Sequence, residues 1–490
     1  MRVWETLFVL LQLPVWLRLV WRRPLWRGAG SLIPVVWLAV AAALAVLHVL
    51  LEGWRWQTVP AWGLFAWGLW LAVQQWRQGR WGQGRLQARA GFVARKAGAA
   101  RAARATGAAE AAGATRAARV LLRVVWALIL LVLLALPWLL PVPRLEKANG
   151  PYPVGTRLYR WTDTSRENLP DRGGPDKGRH VVVQLWYPSS AEGGKGEAPY
   201  VPGPMLRQLN RALRETAGLP GFVTDYLKLA RTGVREESPL AADGKRFPVV
   251  VFYHGWPGFG FTYHYLMTGL ASRGYVVASI DIGWAEHRSQ APSELDLPAW
   301  DRWIDDIWAP DQRFVLDKLA ELNHADPQGI WTGRLDLERA AAAGHSFGGD
   351  AALAALGQDR RFRAAVSLDG AFYGRSGAAK SPEQRVLRLA TAGTAQQPDL
   401  PRRSGAQLQA AGVAAEQYAG WVKAFAERMQ RIEGGHPPLV LPGSTHSSFS
   451  DVYLFSPLLR LRDRGPDPYR IHAQTVEAVD RFLAEALGLR

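Results

Sequence analysis

A long apolar run at 124–142 constrains this chain more than any other feature of its sequence. It contains Leu-Ile-Leu-Leu-Val-Leu-Leu at 128–134 and no charged side chain. A helix of about 20 apolar residues covers the hydrocarbon core of a bilayer. The run therefore predicts a membrane-spanning helix, and a buried helix of a soluble core is the less favoured alternative.

Two further apolar segments, 32–51 and 59–75, precede this run. The first is nearly uncharged, whereas the second is shorter and rich in tryptophan. Fourteen of the 23 tryptophans fall before residue 143, and several flank the predicted spans, where amphipathic rings favour the membrane interface. We expect residues 1–148 to form a membrane anchor with about three transmembrane helices. The first 20 residues, interrupted by polar side chains, we expect to lie at the interface.

The formal net charge of +17 is concentrated in this anchor. Residues 1–123 carry 17 basic and three acidic side chains, a net charge of +14. A basic chain can bind nucleic acid, but basic residues beside apolar spans usually mark cytoplasmic loops. The Ala/Gly/Arg-rich part of segment 77–119 does not interleave aromatic residues for base stacking. We therefore expect a cytoplasmic loop over 77–119 and no nucleic-acid partner. We expect an integral membrane protein in which the chain after the third span, including the catalytic domain, is extracytoplasmic.

After residue 149 the sequence changes to short β-rich runs that alternate with longer helical patterns. This alternation predicts an α/β domain over 149–490, with a mostly parallel sheet flanked by helices. Apolar residues recur near helical spacing over 470–487 and predict a closing helix. The predicted strands are 181–187, 248–254, 275–281, 362–369 and 438–441.

The sequence Gly-His-Ser-Phe-Gly-Gly at 344–349 follows a small apolar run and precedes a helix-prone segment. It fits a nucleophile elbow, in which a serine occupies a strained turn between a strand and a helix. Glycines on either side of the serine allow the backbone to approach closely. Ser346 is therefore the candidate nucleophile. Because a lone Gly-x-Ser-x-Gly also arises by chance, the assignment depends on finding an acid and a base to accompany the serine.

A nucleophilic serine needs a base and an acid that orients the base, and in this fold they follow in the order Ser, Asp, His. Asp369 ends the strand predicted after the elbow, where its carboxylate would reach the carboxyl edge of the sheet. His446 follows the last predicted strand in a loop. His436 is the nearest rival, but it precedes that strand. The predicted catalytic residues are thus Ser346, Asp369 and His446.

Acyl transfer also needs N–H donors aimed at the tetrahedral oxyanion. The backbone N–H of Phe347, directly after the nucleophile, is one candidate. The loop His-Gly-Trp-Pro-Gly at 254–258 follows an apolar strand and supplies the second candidate, the N–H of Trp256. The alternative is a glycine-rich turn with no catalytic role.

These residues resemble the platelet-activating factor acetylhydrolase family, the lipoprotein-associated phospholipase A2 type of α/β-hydrolase. The similarity extends from residue 150 to the C-terminus. Its most specific part is the elbow at 344–349 followed by Asp-Arg-Arg-Phe-Arg at 359–363 and Leu-Asp at 368–369. The resemblance implies an α/β-hydrolase fold behind the anchor.

The resemblance also implies roles for the candidate residues. Ser346, Asp369 and His446 would form the triad, and Trp256 and Phe347 would donate to the oxyanion. The implied reaction is hydrolysis of short or oxidised acyl esters of phospholipids, without metal or cofactor. The alternatives are a broad carboxylesterase or polyester hydrolase of the same fold and, less favoured, a non-catalytic binding module on an anchor.

Two features depart from the family. The anchor has no counterpart in the secreted members, and a long insertion at about 380–435 is expected to form a lid. A third segment, 205–229, carries an apolar helical face. Packing of this face on the sheet is the favoured interpretation, and docking on lipid is the alternative hypothesis.

Overall fold

A computed structural model describes most of the chain in two compact units, Met1–Pro141 and Val142–Arg490. The rival histidine at 436 and residues 86–104 of the basic segment lie outside the described residues. The described residues are 2–21, 33–85, 105–166, 178–190, 193–282, 292, 296–370, 372–374, 383–396, 404–410, 412–435 and 437–489.

The N-terminal unit is built of helices. A π-helical turn, His48–Glu52, extends the third of them. Among the described residues, two stretches are long and apolar enough to cross a membrane, Val35–Glu52 and Val120–Leu139, and only 22% and 17% of their residues are buried. The helices are α1 (Val3–Leu10), α2 (Leu13–Trp21), α3 (Ile33–Leu47), α4 (Val59–Arg85) and α5 (Ala105–Leu139).

The first two helices contribute to the core of this unit. Phe8, Val9 and Val15 are at most 2% exposed and pack with Ala41 of α3 and Leu64 of α4. The segment for which an interfacial position is expected is therefore part of the helical bundle.

A mixed nine-stranded sheet, counted within the described residues, forms the core of the second unit. Its order is β3-β1-β2-β5-β4-β6-β7-β8-β9. Strand β2 pairs antiparallel with β1 and β5, and all other neighbours are parallel, which confirms the predicted α/β class. The strands are β1 (Val154–Asp163), β2 (Arg179–Pro188), β3 (Arg235–Glu236), β4 (Phe247–Tyr253), β5 (Val276–Asp281), β6 (Leu335–His345), β7 (Phe362–Leu368), β8 (Arg385–Ala390) and β9 (Leu439–Val440).

Helices cover both faces of the central strands. Because successive side chains of a strand point to opposite faces, Val249 and Val251 of β4 pack with one cluster that includes Leu319, while Val250 packs with another that includes Leu483. Burial on both faces explains why β4 is apolar throughout. The helices are α6 (Gly203–Ala217), α7 (His264–Ala271), α8 (Leu297–Trp303), α9 (Ala309–His324), α10 (Phe347–Gln358), α11 (Ala392–Gln396), α12 (Gly405–Ala410), α13 (Ala415–Gly435), α14 (Pro457–Arg462) and α15 (Pro468–Ala486).

The segment interpreted as an insertion, 380–435, contains a strand of the central sheet. Strand β8 pairs in parallel with β7, so Arg385–Ala390 belongs to the sheet rather than to an insertion. Arginines interrupt its apolar pattern and hide it in the sequence. One of them, Arg388, is buried with its guanidinium carbon 4.4 Å from the ring centroid of Phe372, a cation–π contact that accommodates the charge.

Candidate active site

Ser346 occupies the turn between β6 and α10. Its backbone has φ 53° and ψ −124°, a conformation that L-residues rarely adopt and that nucleophile elbows use. Its N–H donates to the carbonyl oxygen of Leu368 at 2.8 Å, which ties the elbow to the end of β7. The sequence motif thus forms the strained turn that it predicts.

Two glycines of the elbow permit this turn. A side chain on Gly344 would clash with the carbonyl of Gly348, and one on Gly348 would clash with the carbonyl of Tyr253 at the end of β4. Both obstacles are backbone atoms, which cannot rotate away. The glycine spacing is therefore a packing requirement of strand, elbow and helix.

Asp369 and His446 contact each other directly. The Nδ1 atom of His446 lies 2.6 Å from Oδ2 of Asp369, and the N–H of Thr391 donates to Oδ1 at 2.9 Å. Burial alone would raise the pKa of Asp369, but the hydrogen bond from His446 and the N–H of Thr391 lower it below its usual value. The carboxylate is therefore ionised at neutral pH, as a residue that orients a histidine must be.

The loop that carries His446 is fixed by its own hydrogen bonds. Thr445 and Ser448 form a capping box around the short helical turn that begins at His446. The ring centroid of His446 lies 4.5 Å from that of His345, the residue before Ser346. The structure therefore brings Asp369 and His446 together beside the elbow.

The loop after β4 packs against the same elbow. A Cβ atom on Gly255 would lie 3.2 Å from Cβ of Ser346, so Trp256 follows a backbone position in close contact with the nucleophile. Phe347 begins α10. The first N–H groups of a helix have no partner within it, so the N–H of Phe347 is oriented for an external acceptor.

An aromatic cluster that belongs to no recognised sequence motif adjoins both oxyanion candidates. The Trp256 ring lies edge-to-face on Trp303, with centroids 5.0 Å apart. Phe347 lies 4.7 Å from Trp300 and stacks on Tyr373 at 4.9 Å. The spacing of the tryptophans in α8 is the sequence signal that could have revealed this aromatic cluster. It provides an apolar, water-excluding side to the site.

Helix α13 packs beside this cluster. The ring of Phe425 lies 5.4 Å from that of Tyr373. Arg428 forms an ion pair with Asp301 at 2.8 Å and donates to the carbonyl of Phe372, also at 2.8 Å. Within the part of the chain that the structure describes, no three His, Asp or Glu side chains converge as metal ligands.

Comparisons with known proteins identify the family of this chain. The family model described as platelet-activating factor acetylhydrolase, isoform II, matches residues 141–294 and 331–489. The chain belongs to this family. The match confirms the resemblance seen in the sequence, and it spans every residue of the proposed site.

Curated acetylhydrolases of this family show moderate identity. The platelet-activating factor acetylhydrolase of Cavia porcellus is 26% identical over 264 residues, and that of Canis lupus familiaris is 24% identical over 267 residues. Each alignment covers 46% of this chain and 55% of the relative, so the chain spans about half the length of the curated relatives it matches. A solved ferulic acid esterase from Streptomyces cinnamoneus is 24% identical, with a TM-score of 0.49, and covers 71% of this chain and 94% of its own.

Proposed function

We propose that this chain is a serine ester hydrolase with Ser346 as nucleophile, His446 as base and Asp369 as the orienting acid. The observation that carries the proposal is the 2.6 Å contact between His446 and Asp369 beside a serine in a strained strand-to-helix turn. Membership of the acetylhydrolase family supports the same reaction type.

The chemistry follows from the roles of these groups. As the Ser346 oxygen attacks the ester carbonyl, Nε2 of His446 accepts the hydroxyl proton. The N–H groups of Trp256 and Phe347 donate to the oxyanion. The bond to the alkoxy group then breaks, and His446 returns the proton to the leaving alcohol. Water repeats the sequence on the acyl-enzyme and releases the acid.

Short or oxidised acyl esters of phospholipids are the proposed substrates. The curated relatives are platelet-activating factor acetylhydrolases, and the proposed anchor would hold the site near lipid. A broad carboxylesterase or polyester hydrolase is the second candidate, favoured by the side chain of His446, which is 52% exposed. The ratio of activities on short-chain phosphatidylcholine and soluble p-nitrophenyl esters separates the two.

Residues 1–148 are proposed to anchor the hydrolase domain, 149–490, on the extracytoplasmic side of a membrane. Val35–Glu52 and Val120–Leu139 have suitable length and composition, and most of their residues are not buried within the protein. Core helices and signal sequences share that composition, so the low burial and the basic flanking segments are the distinguishing observations. Carbonate extraction of membranes tests integration.

The direct test of the reaction is Ser346→Ala in the full chain. We expect loss of ester hydrolysis and of labelling by a fluorophosphonate probe, with Ser165→Ala, remote in the turn after β1, as control. Labelling that persists in Ser346→Ala would refute the assignment of the nucleophile. A wild-type protein that does not label at all would support the non-catalytic binding module.

A further inference from the structure

We infer that Tyr263 and His345 are positioning residues that couple the oxyanion loop to the loop of His446. The inference rests on the proposed function and adds two side chains to it. Neither side chain would touch the substrate. They would hold the groups that do.

The coupling is a continuous chain of hydrogen bonds. The N–H of Gly255 lies 3.1 Å from Oη of Tyr263, and that Oη lies 2.8 Å from Nδ1 of His345. Nε2 of His345 then lies 3.1 Å from the carbonyl oxygen of His446. Three segments that are distant in the sequence, 255–263, His345 and His446, are thus joined through two side chains.

Hydrogen-bond chemistry defines the direction of this chain. A carbonyl oxygen can only accept, so the imidazole of His345 must carry its proton on Nε2 and donate to His446. Nδ1 must then accept, and the Tyr263 hydroxyl is its donor. The hydroxyl oxygen in turn accepts from Gly255, a backbone donor. Each ring nitrogen of His345 therefore has one role, and the Tyr263 hydroxyl both donates to His345 and accepts from Gly255.

Burial supports this protonation state. His345 and Tyr263 are 5% and 3% exposed. Burial lowers the pKa of His345 to about 3, so its ring stays neutral at the pH of catalysis. Burial also raises the pKa of Tyr263, so its hydroxyl keeps the proton that it donates.

The joined groups are those whose placement limits acyl transfer. Gly255 precedes Trp256, the proposed oxyanion donor, and His345 precedes Ser346. His446 is the proposed base. A displacement of about 1 Å at such a site can cost about 10²-fold in rate. The chain of hydrogen bonds would hold the oxyanion donor, the nucleophile and the base in fixed positions relative to one another.

Tyr263→Phe removes one oxygen atom and tests the coupling. We expect kcat to fall about 10- to 100-fold, which does not exceed the fall in kcat caused by removing one oxyanion donor. KM should stay nearly unchanged. Labelling by a fluorophosphonate should slow in parallel. Tyr187→Phe is the matched control, because its buried hydroxyl donates to the Ser238 carbonyl at 2.7 Å in another part of the core. Similar losses of Tm with different losses of kcat would separate positioning from general stability.

Two variants of His345 test the two halves of this hydrogen-bond chain separately. His345→Gln keeps a donor near the Nε2 position and should retain more activity than His345→Asn, which keeps a polar atom only near Nδ1. In a double-mutant cycle, Tyr263→Phe should add little to His345→Asn because both break the same chain. Wild-type kcat in Tyr263→Phe, or fully additive effects, would overturn the inference. Activity surviving in Ser346→Ala would instead overturn the proposed function.

A second set of hydrogen bonds defines the path of the N-terminal helices. The guanidinium of Arg2 donates to the carbonyls of Glu52 and Gly53, and the Glu52 carboxylate accepts the N–H of Glu5 at 2.8 Å. Arg55 pairs with Glu5 and donates to the carbonyl of Leu140 at 2.6 Å. The start of α1, the turn before α4 and the residue after α5 therefore lie at one end of the bundle.

Helix α1 also runs antiparallel to α3, and α2 continues away from that end, where Nε1 of Trp16 donates to the carbonyl of Ala127 in α5. Phe8 stacks on His48 near one end, and Nε1 of Trp37 donates to the carbonyl of Leu11 nearer the other. From Val3 to Trp21 the two helices offer about 30 Å of length, enough to cross a bilayer. The geometry points to a fourth crossing by α1 and α2, which leaves the start of α1 on the side where the chain exits α5.

With this proposed path, α2 and α4 both end on the opposite side, and a basic segment of the sequence follows the crossing part of each. Arg22, Arg23 and Arg27 follow α2, and segment 77–119 follows the span proposed at 59–75 in α4. Charge bias of this kind is typical of cytoplasmic loops. The proposal rests on the anchor and is independent of the chemistry of the second unit.

The absence of cysteine from the sequence makes a clean accessibility test possible. Single cysteines at Val3, Trp54 and Leu461, whose side chains are exposed, should react with a membrane-impermeant maleimide on intact cells. A cysteine at Ala97 should react only after permeabilisation. The fourth crossing would be overturned if Val3→Cys, like Ala97→Cys, reacted only after permeabilisation. Equal labelling of all four positions before permeabilisation would also overturn it.

Discussion

The Nδ1 atom of His446 lies 2.6 Å from Oδ2 of Asp369, although the carboxylate is fully buried and the imidazole side chain is 52% exposed. The buried charge is compensated by hydrogen bonds rather than by solvent, which strengthens its electrostatic effect on the ring. One end of the imidazole is therefore held rigidly, while its exposed part can meet a substrate.

Asp369→Asn should reduce kcat about 10⁴-fold with little change in KM, because an amide no longer stabilises the imidazolium and favours the wrong tautomer. Steady-state kinetics on a soluble p-nitrophenyl ester measures the effect. Asp243→Asn, which changes a surface carboxylate in ion pairs with Lys245 and Arg334, is the control. A loss below tenfold would contradict the assigned role.

Gly348→Ala should destabilise the protein by about 3 kcal/mol or more, since its Cβ would meet the immobile carbonyl of Tyr253. Gly420→Ala, in α13 with open space around it, should instead stabilise by about 0.5–1 kcal/mol. Denaturant unfolding of the full chain in detergent compares them. Equal effects of the two changes would argue against the close packing at the elbow.

Arg428→Gln should loosen α13 from the aromatic cluster. The change leaves the carboxylate of Asp301, whose side chain is 15% exposed, without its cation and should cost about 2 kcal/mol. Limited proteolysis should then cut within 415–435 before the rest of the second unit. Arg481→Gln breaks an ion pair with Glu477 that is about 70% exposed and should leave the cleavage pattern unchanged.

Stability should fall on acidification from pH 6.5 to pH 4. Burial lowers the pKa values of His254, His264, His345 and His472 to about 3–4, whereas unfolded histidine titrates near 6.5. In this window the unfolded chain binds protons that the folded chain does not, so stability rises with pH and is lost as pH falls.

One buried acid acts in the opposite direction. Burial raises the pKa of Asp451 to about 8, so its contribution to stability is complete below about pH 4 and is lost as pH rises through 8. The histidines outweigh it, and the denaturation midpoint should be lower at pH 5 than at pH 7. His472→Gln should reduce the slope of the unfolding free energy against pH by about 1.4 kcal/mol per pH unit, which corresponds to one proton. An unchanged slope would contradict the buried neutral state of His472.

Phe222→Asp tests the lipid-docking hypothesis for segment 205–229. Phe222 and Leu219 are 52% and 39% exposed, so a charge at Phe222 should leave the fold intact. We expect lower activity on phospholipid vesicles and unchanged activity on soluble esters. Leu461→Asp, which alters another exposed apolar residue, is the control. Equal loss on both substrates would reject the hypothesis.

Local patterns in the sequence are sufficient to predict much of the second unit. Strands β2, β4, β5 and β7 are apolar or β-rich runs, and each forms where its pattern predicts. The elbow at Ser346 depends on glycines within two residues of it, so its strained turn is also a local property. The sequence does not predict β8, because the charge of Arg388 is accommodated by the distant ring of Phe372.

The sequence by itself determined the α/β class, the strained serine turn, the order of the catalytic candidates and the apolar helices of the N-terminal unit, because periodicity and short motifs act over a few residues. Only the tertiary structure decided which distant groups meet. His345 contacts Tyr263 and His446 across 82 and 101 residues, and Arg55 contacts Glu5 across 50. Such contacts depend on how strands and helices pack, and no spacing along the chain encodes them.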